Sequence, residues 1–186
     1  MQGVELGNKL GVDRAGGARR AVPGHGAGVE KPALYEVVAD MSVSVQLADA
    51  LVTRLNTPGE PGFSQSFTAV RQYVPVFDLE KATGIQVAVV PKSMEVSRAS
   101  RDSSFFDCAA DIAIQKKVSG DLDQDELDRL MALVEEIIDH LNDGPLAEFP
   151  EGVLVSIENA PIFAQEHLNE KRVFTSLLTA TYRVMR

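Results

Sequence analysis

Tryptophan is absent from the 186 residues and cysteine occurs once, as Cys108. A single thiol cannot form an intrachain disulfide, so a secreted disulfide scaffold is excluded and a reducing cytoplasm suits the chain. Long apolar runs are missing too. The longest, such as Ile85 to Pro91 and Phe174 to Leu178, fall far short of the roughly 20 residues a membrane-spanning helix needs. No apolar signal core marks the N-terminus. Positive charge is scarce: 18 Lys and Arg face 27 Asp and Glu, leaving a formal charge of −9. Such a surface does not grip phosphate backbones, because nonspecific nucleic-acid binding needs clustered cations.

What is present divides unevenly. Residues 1–40 carry eight of the 14 glycines and few large apolar side chains, which favours a flexible arm over a packed core. The charges of that stretch balance, so the whole −9 falls on residues 41–186. Met41-Ser42-Val43 would itself make a start for the folded domain. Two readings of the arm therefore stay open, a partner-binding segment and an upstream extension that contributes little.

Within 41–186 the periodicities alternate. Leu47, Ala48, Leu51, Val52 and Leu55 recur at helical spacing from Ser44 to Asn56, with Ser44 placed to cap and Pro58-Gly59 to stop. Phe67 to Phe77 reads as a strand in which Pro75 implies an edge or a bulge. Ile85 to Pro91 is a second strand, and Phe106 to Val118 a third, setting Cys108, Ala110, Ile112 and Ile114 against Asp107 and Asp111. Between them Lys92 to Ser104 is too polar for a core and reads as a long loop or protruding hairpin. Asp123 to Asn142 carries the strongest stripe, from Leu127 through Leu130, Leu133, Val134 and Ile137 to Leu141, ended by Gly144-Pro145. Val153 to Ile157 and Arg172 to Val184 complete the strands. The expected class is α+β: a mostly antiparallel sheet with two amphipathic helices on one face and a long polar hairpin.

No constellation for chemistry emerges, so neither an enzyme nor a resident cofactor or metal is expected. Asp121-Leu-Asp-Gln-Asp125 imitates the opening of a calcium loop, but Glu126 stands at the turn glycine and Ala132 at the distal glutamate. Acids at a helix N-terminus complement its dipole instead. Gly24-His-Gly-Ala-Gly28 lacks the strand before it and the helix after it that phosphate cradling requires. His25, His140 and His167 lie far apart and read as solvent-facing. Glu135, Glu136 and Asp139 oppose the apolar stripe as a solvated face, and Cys108 is a small core residue. Ser97-Arg-Ala-Ser-Arg101 stands apart, because two arginines at a hairpin end can pair bidentately with carboxylates of a neighbouring subunit. An ordinary solvated loop is the alternative.

The order from Ser44 to Arg186 resembles the tail terminator (tail completion, minor tail) proteins of long-tailed bacteriophages. The resemblance rests on the Leu47 to Leu55 helix, the Val-Val-Pro91 strand end, and the Arg98 to Arg101 hairpin. It extends through Asp111-Ile-Ala-Ile114 with Lys116-Lys117, the Leu127 to Leu141 helix and Phe174-Thr-Ser-Leu-Leu-Thr-Ala-Thr-Tyr182. It implies a virion subunit, assembled in the host cytoplasm, that forms a hexameric ring on the head-proximal end of the tail tube. Such a ring stops tube polymerisation and meets the neck or head-completion proteins, with DNA passing only nonspecifically through its lumen. Under that resemblance Lys92, Arg98, Arg101, Lys116 and Lys117 are the candidate intersubunit or tube-facing residues. A head-tail connector or neck protein is the nearest alternative, and a small-molecule-binding regulatory α/β domain a more distant one.

Overall fold

The computed structural model describes residues 42–74, 84–119 and 123–186. The glycine-rich 1–40 segment therefore lies outside the described residues, as do Pro75 and Phe77. In chain order the elements are α1 (Val43–Asn56), β1 (Phe67–Arg71), β2 (Ile85–Arg98), β3 (Ser104–Lys117), α2 (Gln124–Asn142), β4 (Val153–Glu158), α3 (Gln165–Lys171) and β5 (Val173–Met185). The strands form one five-stranded sheet in the order β1-β2-β3-β5-β4. Among the described strands only the β1–β2 pair is parallel, so the protein is α+β with a mostly antiparallel sheet.

One apolar cluster unites the layers. It joins Leu47, Leu51 and Leu55 of α1 and Leu130, Leu133 and Ile137 of α2 to alternate residues of the strands. In β3 those are Cys108, Ala110, Ile112 and Ile114; in β5 they are Phe174, Leu178, Ala180, Tyr182 and Val184. The period-2 alternation of a strand sends the intervening residues to the other face. That second face is lined at its middle by small residues, and Ala88, Ala109 and Ala113 are all buried.

Helix ends show local chemistry at work. α1 begins two residues earlier than expected: Ser42, not Ser44, stands at the N-cap, and its carbonyl accepts from the Val45 and Gln46 N–H groups at 2.9 and 3.0 Å. Asp123 caps α2 with a carboxylate that accepts from the Asp125 N–H at 3.0 Å, satisfying one of the orphan donors of the first turn. β1 stops at Arg71 instead of running to Phe77. Its last ladder bond is donated by the Gln72 N–H to the Val89 carbonyl at 2.9 Å, and β2 then meets Pro91, which has no N–H, and bulges before Ser93. α3 is a third helix that the sequence pattern does not reveal. Its seven residues bury only Leu168, so no repeating stripe exists to read, and it ends at Arg172 in the left-handed region with φ 54°.

The polar stretch after Pro91 belongs to the sheet. Lys92 to Arg98 is the second half of β2 and pairs with β3 up to Arg98 opposite Ser104, leaving 99–103 as the connection. The connection is held by Ala99 and Ser100 N–H groups donating to the Ser103 carbonyl at 3.1 and 3.0 Å.

Candidate assembly surface

Seven consecutive residues, Lys92 to Arg98, are exposed along the outer half of β2, roughly 20 Å of extended chain. Arg186 meets the same end: the Ser104 N–H donates to the Arg186 carbonyl at 2.6 Å and the Arg186 N–H donates back at 2.9 Å. Arg98, Arg101 and Arg186 are thus gathered, all exposed, at one end of the sheet. Neither Arg98 nor Arg101 forms an ion pair with another described residue. Beside them Met94 and Val96 keep 49% and 53% of their surface in solvent, unusual for adjacent apolar positions on one face of a strand.

The other three candidate cations have different tasks. Lys92 reaches back over the sheet, its Nζ 3.1 Å from Asp111 Oδ1 and donating to Thr179 Oγ1 at 2.9 Å. The Thr179 hydroxyl in turn donates to Asp111 at 2.6 Å. Lys116 pairs with Glu126 Oε1 at 2.8 Å, tying β3 to the first turn of α2. That contact, chiefly the hydrogen bond from Lys116, holds the Glu126 carboxyl below its ordinary value of 4.5. Lys117 is exposed at the end of β3 remote from the 99–103 connection. Arg98 and Arg101 therefore share one surface, while Lys92 and Lys116 are bound within the fold.

A second polar feature lies on the sheet face away from the helices. Arg183 grips Asp107 with both fork nitrogens, Nε to Oδ1 and Nη2 to Oδ2, each at 2.6 Å, and lies over the Phe105 ring 4.9 Å from its centroid. Hydrogen bonding from Arg183 lowers the Asp107 carboxyl below its usual range and raises Arg183. A signal for this network was present: Asp107 and Asp111, like Thr179 and Arg183, are four apart and so share one face of their strand. Only the register, which sets Asp107 opposite Arg183 and Asp111 opposite Thr179, brings them together.

The described histidines are half-buried instead of solvent-facing. His140 Nε2 sits 3.0 Å from the Arg54 carbonyl with its ring edge-on to Phe63, and His167 Nδ1 sits 3.1 Å from Thr175 Oγ1. His25 and Asp121 lie outside the described residues. Cys108 is fully buried, and burial pushes its thiol up. Among the described residues no group of three or more His, Cys, Asp or Glu side chains converges as a metal site. No described helix is long and apolar enough to cross a membrane.

A cleft of about 480 Å³ runs between the end of α2 and β4, past Ile138, Leu141, Leu154, Ile157 and Tyr182. Its walls are polar and apolar in about equal measure. The Tyr182 hydroxyl is buried there without a hydrogen bond to any described group, and burial pushes its pKa up to about 12. Compared with known proteins, the sequence matches no family model and none of the curated proteins.

Proposed function

We propose that this chain is a virion structural protein, a tail terminator that caps the head-proximal end of a phage tail tube as a ring. In this reading its copies stop tube polymerisation and present a joining surface to the neck. The observation that carries the proposal is the exposed outer half of β2 with its β3 partner, a long polar hairpin. It ends in arginines that pair with no described residue and bears an apolar pair that nothing in the described chain covers. A solitary subunit gains nothing from holding such an element in solvent, whereas a ring uses exposed loops and strands for head-to-tail contacts.

Two further features support it. α1 and α2 back one sheet face through the common core, which leaves the opposite face, with its Lys92–Asp111–Thr179 and Asp107–Arg183 networks, as a rigid polar wall. The charge of −9 lets DNA pass such a ring without adhering. The partners are other copies of the chain in a hexamer, the tail tube protein and a neck or head-completion protein. No catalysis and no cofactor enter the reading.

Deleting the reading frame from its source phage or prophage and viewing the induced lysate by electron microscopy tests it. Overlong tails detached from filled heads are expected. Tails of normal length that fail to join heads would assign the chain to the neck instead, and unaltered particles would overturn a virion role.

A further inference from the structure

The outer face of α2 is acidic along its length. Asp125, Asp128, Glu135 and Asp139 are all exposed and, at 100° per residue, fall within about 80° of arc, with the exposed Ala132 at the centre of the stripe. None of the four side chains is in an ion pair with a described residue. Arg129 flanks the stripe, and Glu136 lies on the same flank, its carboxylate accepting from the Ser64 N–H at 2.8 Å. α2 thus presents a strip of uncompensated carboxylates with a small apolar centre.

The arginine-bearing end of β2–β3 has the opposite character. Arg98, Arg101 and Arg186 flank the exposed Met94 and Val96, which share one face by strand alternation, while Glu95 points to the other and Asp102 lies in the connection. We propose that this end docks across the acidic face of α2 on a second copy of the chain, the apolar pair over Ala132 and the arginines on the flanking carboxylates. The inference rests on the ring reading and names the contact that repeats around it. Two different surfaces meet, so the contact is heterologous, and repetition leads to a closed ring when the rotation between copies allows it. Arginine suits the task because its fork can hold a carboxylate bidentately and sheds water more readily than an ammonium. A tube protein as the occupant is the alternative that the test separates.

The test is the mass of the full chain by light scattering across a concentration series, for wild type, R98E/R101E, D128K/E135K and a 1:1 mixture of the two variants. All four positions are exposed, and circular dichroism checks each fold. The wild type is expected to form oligomers whose association weakens with added salt. Each variant sets like charge against like charge and should need roughly tenfold or more higher concentration to associate. The mixture should recover wild-type association in even-numbered assemblies, because only alternating copies then match. Variants that keep wild-type mass, or a mixture that stays dissociated, overturn this contact while leaving a wild-type ring intact. A wild-type chain that is monomeric at every concentration also overturns it, and the ring reading then depends on the deletion phenotype alone.

Discussion

The carboxamide of Asn56 closes the free edge of β1. It accepts a hydrogen bond from the Ala69 N–H at 2.8 Å and donates one to the Ala69 carbonyl at 2.9 Å, as a sixth strand would. Backbone groups on an exposed edge are a template for pairing with another chain, and a short strand with a plugged centre blunts that hazard. The opposite edge is β4, where Val153 and Val155 remain 67% and 48% exposed. The two edges of the sheet are therefore chemically unlike, which favours directional contacts over edge-to-edge growth.

Replacing Asn56 by leucine removes both bonds and leaves the Ala69 groups to water. The expected loss is about 1–2 kcal/mol, from two hydrogen bonds at a partly buried site. Self-association unrelated to the arginine end should appear alongside it. Denaturant midpoints and sedimentation velocity measure the two effects, and a variant as stable and as monodisperse as wild type would show that the edge needs no plug.

Acid should weaken the fold through two carboxylates. Arg183 holds Asp107 below its ordinary 3.8, and Lys116 holds Glu126 below its ordinary 4.5 with help from the Ser119 N–H. A lowered folded-state pKa means that the stabilisation is complete above the unfolded value and is lost as pH falls through the folded one. The wild-type advantage over D107N and over E126Q should thus be constant near neutrality and shrink from about pH 4.5 downward for Glu126, and from a little lower for Asp107. For the Lys116–Glu126 pair the neutral-pH advantage is up to about 1 kcal/mol. Urea midpoints from pH 7 to pH 2 decide it: parallel curves for wild type and variants would mean that neither pair is coupled to folding.

Much of this architecture can be read from the residues alone. The stripe from Leu127 to Leu141 specifies α2 because so many apolar positions share one face, and the alternation around Cys108 to Ile114 specifies β3. α3 escapes because one buried leucine in seven residues makes no period. The outer half of β2 reads only as a long loop or a protruding hairpin, because its residues face solvent and its two apolar side chains, Met94 and Val96, are too few to mark a core-facing strand. Of the five candidate cations, Lys92 and Lys116 turn out to be bound within the fold, a fact that depends on which side chains the register and the α2 approach bring near them. Charge alone does not distinguish a free arginine from a satisfied lysine.

Gly152 is required for close approach. A Cβ there would run into the ring of Phe149, a fully buried side chain, and the Gly152 N–H donates to the Phe149 carbonyl at 3.0 Å. Gly152→Ala must displace that ring from the core, at a cost of about 1–3 kcal/mol for overpacking. The double variant Gly152→Ala with Phe149→Leu should recover part of the loss, since the smaller side chain yields. Thermal unfolding of Gly152→Ala, Phe149→Leu and the double variant checks this; equal losses for Gly152→Ala and the double variant would place the strain elsewhere.

Tyr182 separates packing from hydrogen bonding. Its ring is among the largest fully buried side chains, while its hydroxyl has no partner among the described groups. Tyr182→Phe should therefore change stability by less than about 1 kcal/mol, whereas Tyr182→Ala should cost about 3–5 kcal/mol by opening a cavity. Alkaline pH adds a second readout. Burial raises the phenol from its ordinary 10 to about 12, so the neutral form favours the fold below pH 10, and that contribution is lost as pH climbs from 10 towards 12. Wild type should destabilise across that window more steeply than Tyr182→Phe. A phenylalanine variant that loses more than about 2 kcal/mol at neutral pH would mean that the hydroxyl is held by a hydrogen bond after all, and one that keeps the full alkaline slope would mean that the slope comes from other groups.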